Sequence, residues 1–216
     1  MDIVLLGIQG SGKGTQSKFL QEQYGLVYFE TGSALRKLSA EDSELGQKVK
    51  SIIEAGHLVP SEVVMDIIAD FMHKLPAGAN VLFDGIPRKI DQAEQFEEVM
   101  KKNGREFKCV YVNLTEEEAM RRLTTRRICE KCKAVYPAVY TAESCEACGG
   151  KLITRSDDNP ESIKNRLHAF FTETSPVIES YKTRGMLIDV NGEQPIPDVT
   201  KELFAKLDPL FQKNVA

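Results

Sequence analysis

The sequence predicts an α/β protein: three layers, with a parallel sheet between helices and two segments inserted into the basic pattern. Three observations lead there. Short apolar runs, Ile3 to Leu6, Leu26 to Phe29, Val81 to Phe83, Val110 to Leu114 and Met186 to Val190, alternate with stretches of helical spacing, as strands joined by crossover helices should. A glycine-rich turn, Gly7-Ile8-Gln9-Gly10-Ser11-Gly12-Lys13-Gly14-Thr15, follows the first run at once and opens a helical pattern that ends near Tyr24. Residues 31–59 and 128–158 do not read as strand–helix units at all.

Taken in order, Met1 to Gly7 is apolar, lacks a basic leader and runs straight into the glycine turn. It reads as a buried first strand rather than a signal peptide, so the cytoplasm is the expected compartment. The turn suits a phosphate. Its glycines let successive N–H groups point inward, the following helix adds the partial positive charge of its N-terminus, and Lys13 adds a full one. Gly14 follows the lysine and the hydroxyl comes one residue later, at Thr15, which departs from the strict G-x-x-x-x-G-K-[ST] form. This context predicts a P-loop NTPase fold. The stretch 31–59 is helical and polar, yet joins two strands expected in one sheet, which marks it as an insertion.

Ser61 to His73 places Val64, Ile67, Ile68 and Phe71 at helical intervals. Thr115 precedes Glu116, Glu117 and Glu118, acids of the kind a helix N-terminus favours. Asn159-Pro160-Glu161 is a helix start with Asn as cap and Pro at the first helical position, and Pro176 should end or kink that helix. The expected division is a core of residues 1–30, 60–127 and 159–216, carrying the insertions 31–59 and 128–158.

Composition removes several function classes. No apolar run reaches the roughly 18 residues of a membrane span, so no membrane role is expected. A net charge of −4 and a pI near 5.6 argue against a broad surface for nucleic acid or anionic lipid; any polyanion must be bound locally. His57, His73 and His168 are scattered without metal spacing and read as solvent-facing or packing residues. Arg121 and Arg127 read as surface residues.

Cysteine usage points to metal. Cys129-Glu130-Lys131-Cys132 and Cys145-Glu146-Ala147-Cys148 are two CxxC knuckles with 12 residues between them, and Gly149 and Gly150 ease the second turn. Four thiolates make a closed tetrahedral site suited to structural Zn²⁺, with an iron–sulfur cluster as the alternative. Cys109, in the apolar run Lys108 to Val112, reads as a small buried hydrophobe.

With these motifs in hand, the chain resembles the adenylate kinase family from end to end, a likeness sharpened by the GKGT ending of the phosphate loop. Thr31-Gly32-Ser33-Ala34-Leu35-Arg36 is similar to the family's acceptor motif, in which the Thr hydroxyl faces the AMP base and the Arg holds its phosphate. Gly56-His57-Leu58-Val59 resembles the element bordering the adenine. Asp84-Gly85-Ile86-Pro87-Arg88-Lys89-Ile90-Asp91-Gln92 is similar to the stretch whose Arg grips the AMP phosphate and whose Gln meets the adenine edge. Arg122 and Arg126 match the arginines before the lid, and Val135-Tyr136 match lid residues beside ATP. Arg155-Ser156-Asp157-Asp158 with Arg166 matches the returning hinge, and Gln194 the position whose backbone carbonyl receives the ATP amino group. The resemblance implies ATP + AMP = 2 ADP with Mg²⁺ near Thr15 and Asp84, a zinc-bearing lid, an acceptor-binding insertion and a monomer. Ser33 stands where the family usually has Asp, Ile86 where it has Phe, and Ile8-Gln9 where Ala-Pro is common; none of these alters the phosphate-gripping cations.

That arrangement is physically coherent. Two polyanions repel, so a site joining them needs several cations, and the planar fork of arginine binds phosphate oxygens bidentately. Lys13, Arg36, Arg88, Arg122, Arg126, Arg155 and Arg166 can supply them. Asp157 and Asp158 then read as hinge or arginine-orienting residues. The rival readings are a UMP/CMP kinase or GTP-using AMP kinase, and an ATP-regulated zinc-ribbon nucleic-acid module. Thr31 and Gln92 favour AMP as acceptor, and the acidic balance counts against nucleic acid.

Overall fold

The computed structural model describes residues 1–137, 139–155 and 158–212. In chain order the elements are β1 (Asp2–Leu6), α1 (Lys13–Tyr24), β2 (Val27–Glu30), α2 (Thr31–Leu38), α3 (Glu44–Glu54), α4 (Ser61–His73), β3 (Val81–Asp84), α5 (Ile90–Lys102) and β4 (Phe107–Asn113). There follow α6 (Glu116–Thr125), the short strands β5 (Arg127–Cys129), β6 (Val135–Tyr136) and β7 (Leu152–Ile153), then α7 (Pro160–Ala169), α8 (Ser175–Thr183), β8 (Leu187–Asn191) and α9 (Ile196–Gln212). All five expected strands form, in a parallel sheet of order β2-β3-β1-β4-β8.

Central β1 is buried along its whole length, and its alternate side chains divide the interior. Val4 and Leu6 join Val81, Phe83 and Cys109 on one face, under α4, α5, α7 and α8; Ile3 and Leu5 join Leu82, Val110 and Val190 on the other, under α1 and α9. A parallel sheet buried on both faces needs apolar residues at every position, which explains the unbroken apolar runs. Cys109 is fully buried, as expected. The strand order turns at β1, and chain reversals at the carboxyl ends of β1, β2, β3, β4 and β8 fall on one edge, where ligands bind in open α/β sheets.

Helix starts follow their caps. Thr115 Oγ1 accepts from Glu118 N, and Asn159 Oδ1 accepts from Ser162 N at 2.9 Å with Pro160 at the first helical position. Pro176 does not end its helix. The backbone widens into a π-turn at Phe170–Thr174 and runs on through α8. A proline lacks an N–H and its ring would strike the carbonyl four residues back, so one wider turn lets the helix continue.

The two insertions are built differently. Residues 31–59 add Leu35, Val49 and Val59 to the main core. Their last turn also rests on α7: Ser162 Oγ donates to Glu54 O at 2.6 Å, Asn165 Nδ2 to Ala55 O at 3.0 Å, and a side chain at Gly56 would lie 2.6 Å from Ser162 O. The second insertion forms its own antiparallel sheet, β6-β5-β7, with its own small cluster of Cys129, Tyr136, Cys145 and Leu152. Among the described residues no helix is long and apolar enough to cross a membrane.

Asp2 ties the sheet to its neighbours. Its buried carboxylate accepts from Val81 N at 2.7 Å and from Arg105 Nε and Nη2 at 2.6 Å each. Removing it orphans a buried amide and leaves a mostly buried guanidinium with its charge unpaired and its bond to Ala79 O, at 2.6 Å. Asp2→Ala is therefore expected to cost about 3 kcal/mol in urea unfolding, with an unchanged dependence on denaturant; a loss below 0.5 kcal/mol on the same measure would refute the role.

Candidate active site

The phosphate loop takes its shape from its glycines. Gly10 and Gly12 have φ of 88° and 95°, the left-handed region that side-chain-bearing residues avoid. At Gly7 the limit is space, because a Cβ would lie 2.6 Å from Val112 O. Helix α1 starts at Lys13, so its free amides point into the loop. Lys13 Nζ folds back over the loop and donates to Gly7 O at 2.7 Å and Ile8 O at 3.1 Å. Part of that side chain meets solvent, but the ammonium is enclosed by protein, and desolvation lowers its pKa to about 8 against the opposing pull of Asp84. Ser11 Oγ and Gln9 Oε1 are buried here without a partner among the described residues.

At the end of β3, Asp84 is buried and accepts from Tyr28 Oη at 3.0 Å. Burial raises its pKa, while Lys13 pulls the other way. Arg88 is held by its own turn: Nε donates to Gly85 O at 2.8 Å, its backbone N donates to Gln92 Oε1 at 2.8 Å, and its carbonyl accepts from Thr174 Oγ1 at 3.0 Å. Gln92, Ile86 and Pro87 are buried beside it. Burial opposes the charge on Arg88, and Arg166 and Arg36 add their repulsion.

Beside this turn, a Cβ at Gly85 would lie 3.6 Å from Thr31 Cβ; Thr31 opens α2, its hydroxyl buried and unpartnered among the described residues. Arg36, one turn on, pairs with Glu30 at 2.9 Å and closes over Gly32, where a Cβ would meet its Nη1 at 2.9 Å. His57 is exposed, Leu58 half-buried and Val59 buried. From the lid side, Arg126 forms a two-pronged bond to Asp158 at 2.6 and 2.7 Å, and Arg166 Nη2 reaches the same carboxylate at 2.6 Å. Burial alone would raise the pKa of Asp158, but these two guanidiniums outweigh it and hold the carboxyl below its usual range. Arg155 is half-buried at the same hinge. Ser156 and Asp157, part of the expected hinge motif, lie outside the described residues.

The structure therefore gathers Lys13, Arg88, Arg126, Arg166 and Arg36 into one connected field: Lys13 feels Arg88 and Arg126, and Arg88 feels Arg166 and Arg36. Arg122 stands at the loop's outer wall, bonded to Glu118 at 2.7 Å, Gly192 O at 3.1 Å and Gly10 O at 3.4 Å. Gln194 lies on the same turn and bonds Glu202 at 2.6 Å. On the lid, Val135 is exposed, whereas the Tyr136 ring turns inward, tilted by 39° against Tyr140 with centroids 4.4 Å apart and its hydroxyl 3.0 Å from Cys145 Sγ. All three histidines and Arg121 are exposed, as expected. Arg127 is not: it is half-buried and donates to Tyr140 O within the lid.

Sequence reading missed Glu30, Glu118 and Gly192. Glu30 carried no motif signal, and Glu118 was legible only as a helix N-terminal acid after Thr115, not as a partner of Arg122. Gly192 carried one, in the turn dipeptide Asn191-Gly192, and a Cβ there would lie 2.6 Å from Asn113 O.

The four lid cysteines converge, their sulfurs all within 4.8 Å of one another and the closest pairs at 3.4 and 3.5 Å. A tetrahedron of thiolates with Zn–S of about 2.3 Å has edges of about 3.8 Å, so the donor set fits such an ion.

Comparison with known proteins agrees with this geometry. A family profile described as adenylate kinase matches residues 5–186. Adenylate kinases of Staphylococcus epidermidis and Staphylococcus aureus are each 38% identical over 215 residues, covering 97% of this chain and 100% of theirs. The chain belongs to the adenylate kinase family. It is accordingly a phosphotransferase, and adenylate kinases work on ATP, AMP and ADP with Mg²⁺.

The Lys13 environment sets a pH dependence. With a pKa depressed from 10.5 to about 8, the folded protein carries a desolvation penalty below that value, and its stability gains as pH rises through about 8 and up to 10.5. Function is expected to run the other way, because a lysine placed over a phosphate loop must be charged to hold phosphate. The kcat/KM for ATP should fall above about pH 8, while kcat stays flatter because bound phosphates restore the charge. A flat kcat/KM profile through that range contradicts this assignment.

Proposed function

We propose that this cleft divides the adenylate kinase reaction between its two rims. The observation that carries the reading is the convergence of cations from separate segments on a glycine loop at the carboxyl edge of the sheet. On the ATP side stand the amides of Gly10, Ser11, Gly12, Lys13, Gly14 and Thr15, the Lys13 ammonium, Arg122 and Arg126, the Val135–Tyr136 edge of the lid and the carbonyl of Gln194. On the AMP side stand Thr31, Gly32, Arg36, His57, Leu58, Val59, Gly85, Ile86, Pro87, Arg88 and Gln92, with Arg155 and Arg166 reaching the transferring group.

An AMP phosphate oxygen, already anionic at neutral pH, forms a bond to the γ-phosphorus of ATP while the bond to the bridging oxygen breaks, leaving two ADP. No general base is needed. Catalysis is alignment plus charge stabilisation, and the guanidinium forks of Arg88, Arg126, Arg155 and Arg166 act where charge spreads over the moving group. Asp84 is a buried oxygen donor next to Lys13 and would hold Mg²⁺ with Thr15; that ion offsets charge on the β- and γ-phosphates. The buried, unpartnered hydroxyl of Thr31 and the Gln92 amide, oriented by Arg88 N, supply polar contacts for a base edge. In a coupled assay AMP should exceed UMP, CMP and GMP in kcat/KM by at least about 100-fold, because a wrong base leaves buried polar groups unpaired. Comparable values for UMP would sink the acceptor assignment.

The same reading makes 31–59 and 128–158 the moving parts. The lid has its own sheet and cluster and joins the core through the Arg126–Asp158 hinge. Its core is too small to hold it together, so Zn²⁺ on Cys129, Cys132, Cys145 and Cys148 does so. Free cysteines suit a reducing cytoplasm, and the enzyme is read as a monomer. Metal removal, or Cys129→Ser with Cys132→Ser, should lower the melting temperature by several degrees while ADP synthesis survives in the cold. Loss of activity with melting temperature and lid protease resistance unchanged would instead make the metal catalytic.

A further inference from the structure

Each cation of the site is held by something when no phosphate is present, and the holders differ in kind. Lys13 and Arg88 rest on neutral backbone carbonyls. Arg126 and Arg166 share the buried Asp158, and Arg122 shares Glu118 with Arg121. Arg36 alone among these has a carboxylate that no other described arginine shares, Glu30, through a single 2.9 Å contact. Both side chains are well exposed, 41% for Arg36 and 35% for Glu30, so the pair is weak and open to exchange.

Its place matters more than its strength. Glu30 is the last residue of β2, directly opposite Asp84 in the sheet register and immediately before Thr31. Its charge reaches Lys13, Asp84 and Arg88 as well as Arg36. We propose that Glu30 is an internal stand-in for the acceptor phosphate: it occupies Arg36 in the empty enzyme, is displaced when AMP binds, and thereby weakens AMP affinity. This rests on the assignment of Arg36 to the AMP phosphate. Two contributions have the same sign. An incoming phosphate must first break the Glu30–Arg36 pair, and the released carboxylate then stays close to the phosphate and to Asp84 as a like charge. Glu30 is thus an affinity-setting residue rather than a catalytic one, and its effect falls chiefly on the acceptor nucleotide, because it touches Arg36 directly and is the last-ranked of the charges acting on Lys13.

Glu30→Gln keeps the shape and removes the charge. It should lower KM and the calorimetric Kd for AMP by about threefold, the scale of one exposed ion pair, with a smaller change in KM for ATP. A residue that merely held Arg36 in place would give the opposite sign, a raised KM for AMP on its removal. Arg36→Ala separates the proposal from the assignment beneath it, and should raise KM for AMP at least tenfold, about the worth of one charged hydrogen bond. In the Arg36→Ala background Glu30→Gln should have a smaller effect on AMP than it has alone. If Arg36→Ala weakens AMP but Glu30→Gln leaves it unchanged or weakens it too, the stand-in proposal is overturned and the assignment of Arg36 remains. If Arg36→Ala leaves AMP binding untouched, both fall.

Discussion

Like charges forced together at the edge of one sheet are the constraint on which the rest of this structure depends. A site that joins two phosphate-bearing anions has to keep lysine and arginine side chains close enough to repel one another before any phosphate arrives. The chain solves this locally. Lys13 lies over two loop carbonyls, Arg88 folds onto Gly85 O, Arg122 leans on Glu118, and Asp158 sits between Arg126 and Arg166 with its side chain wholly buried. Each partner stands within hydrogen-bond distance, so the field is offset without being neutralised. A buried carboxylate between two guanidiniums adds little net stability, because desolvation takes back most of the attraction. What it contributes is position, holding two forks at the hinge where the lid returns to the core.

The scaffold explains why such a field can form there. Parallel strands deliver their following loops to the same edge, so β1 brings the phosphate loop, β2 brings Glu30 and Thr31, β3 brings Asp84 to Arg88, and β8 brings Gly192. The buried apolar strands supply the rigidity, and short side chains or none supply the room: Gly7 against Val112 O and Gly192 against Asn113 O both leave no space for a Cβ. The insertions follow opposite designs. Residues 31–59 borrow the main core and lean on α7 through Ser162 and Asn165. The lid keeps to itself, with four converging thiols in place of a hydrophobic interior. Helix α7 therefore touches both, through Ser162 and Asn165 to Glu54 O and Ala55 O and through Arg166 to Asp158.

What the sequence determined by itself was everything encoded by nearby residues. Five strands were legible because burial on both faces demands continuous apolar runs. The phosphate loop was legible because only glycine tolerates its backbone, and the helix starts at Thr115 and Asn159 because a cap acts within three residues. The metal cluster was legible because each CxxC knuckle is a local turn. Tertiary structure alone decided what meets what across the chain. Nothing in the local pattern says that Asp158 serves both Arg126 and Arg166, that Glu30 holds Arg36, or that Arg122 reaches Gly192. Nor does it say that Pro176 would be met by a wider turn, between two helices that both pack on the same face of the sheet. The physical reason is the range of the forces involved. Backbone sterics and capping act within a few residues, whereas ion pairing and close packing depend on distances that exist only once the sheet has brought its carboxyl ends together.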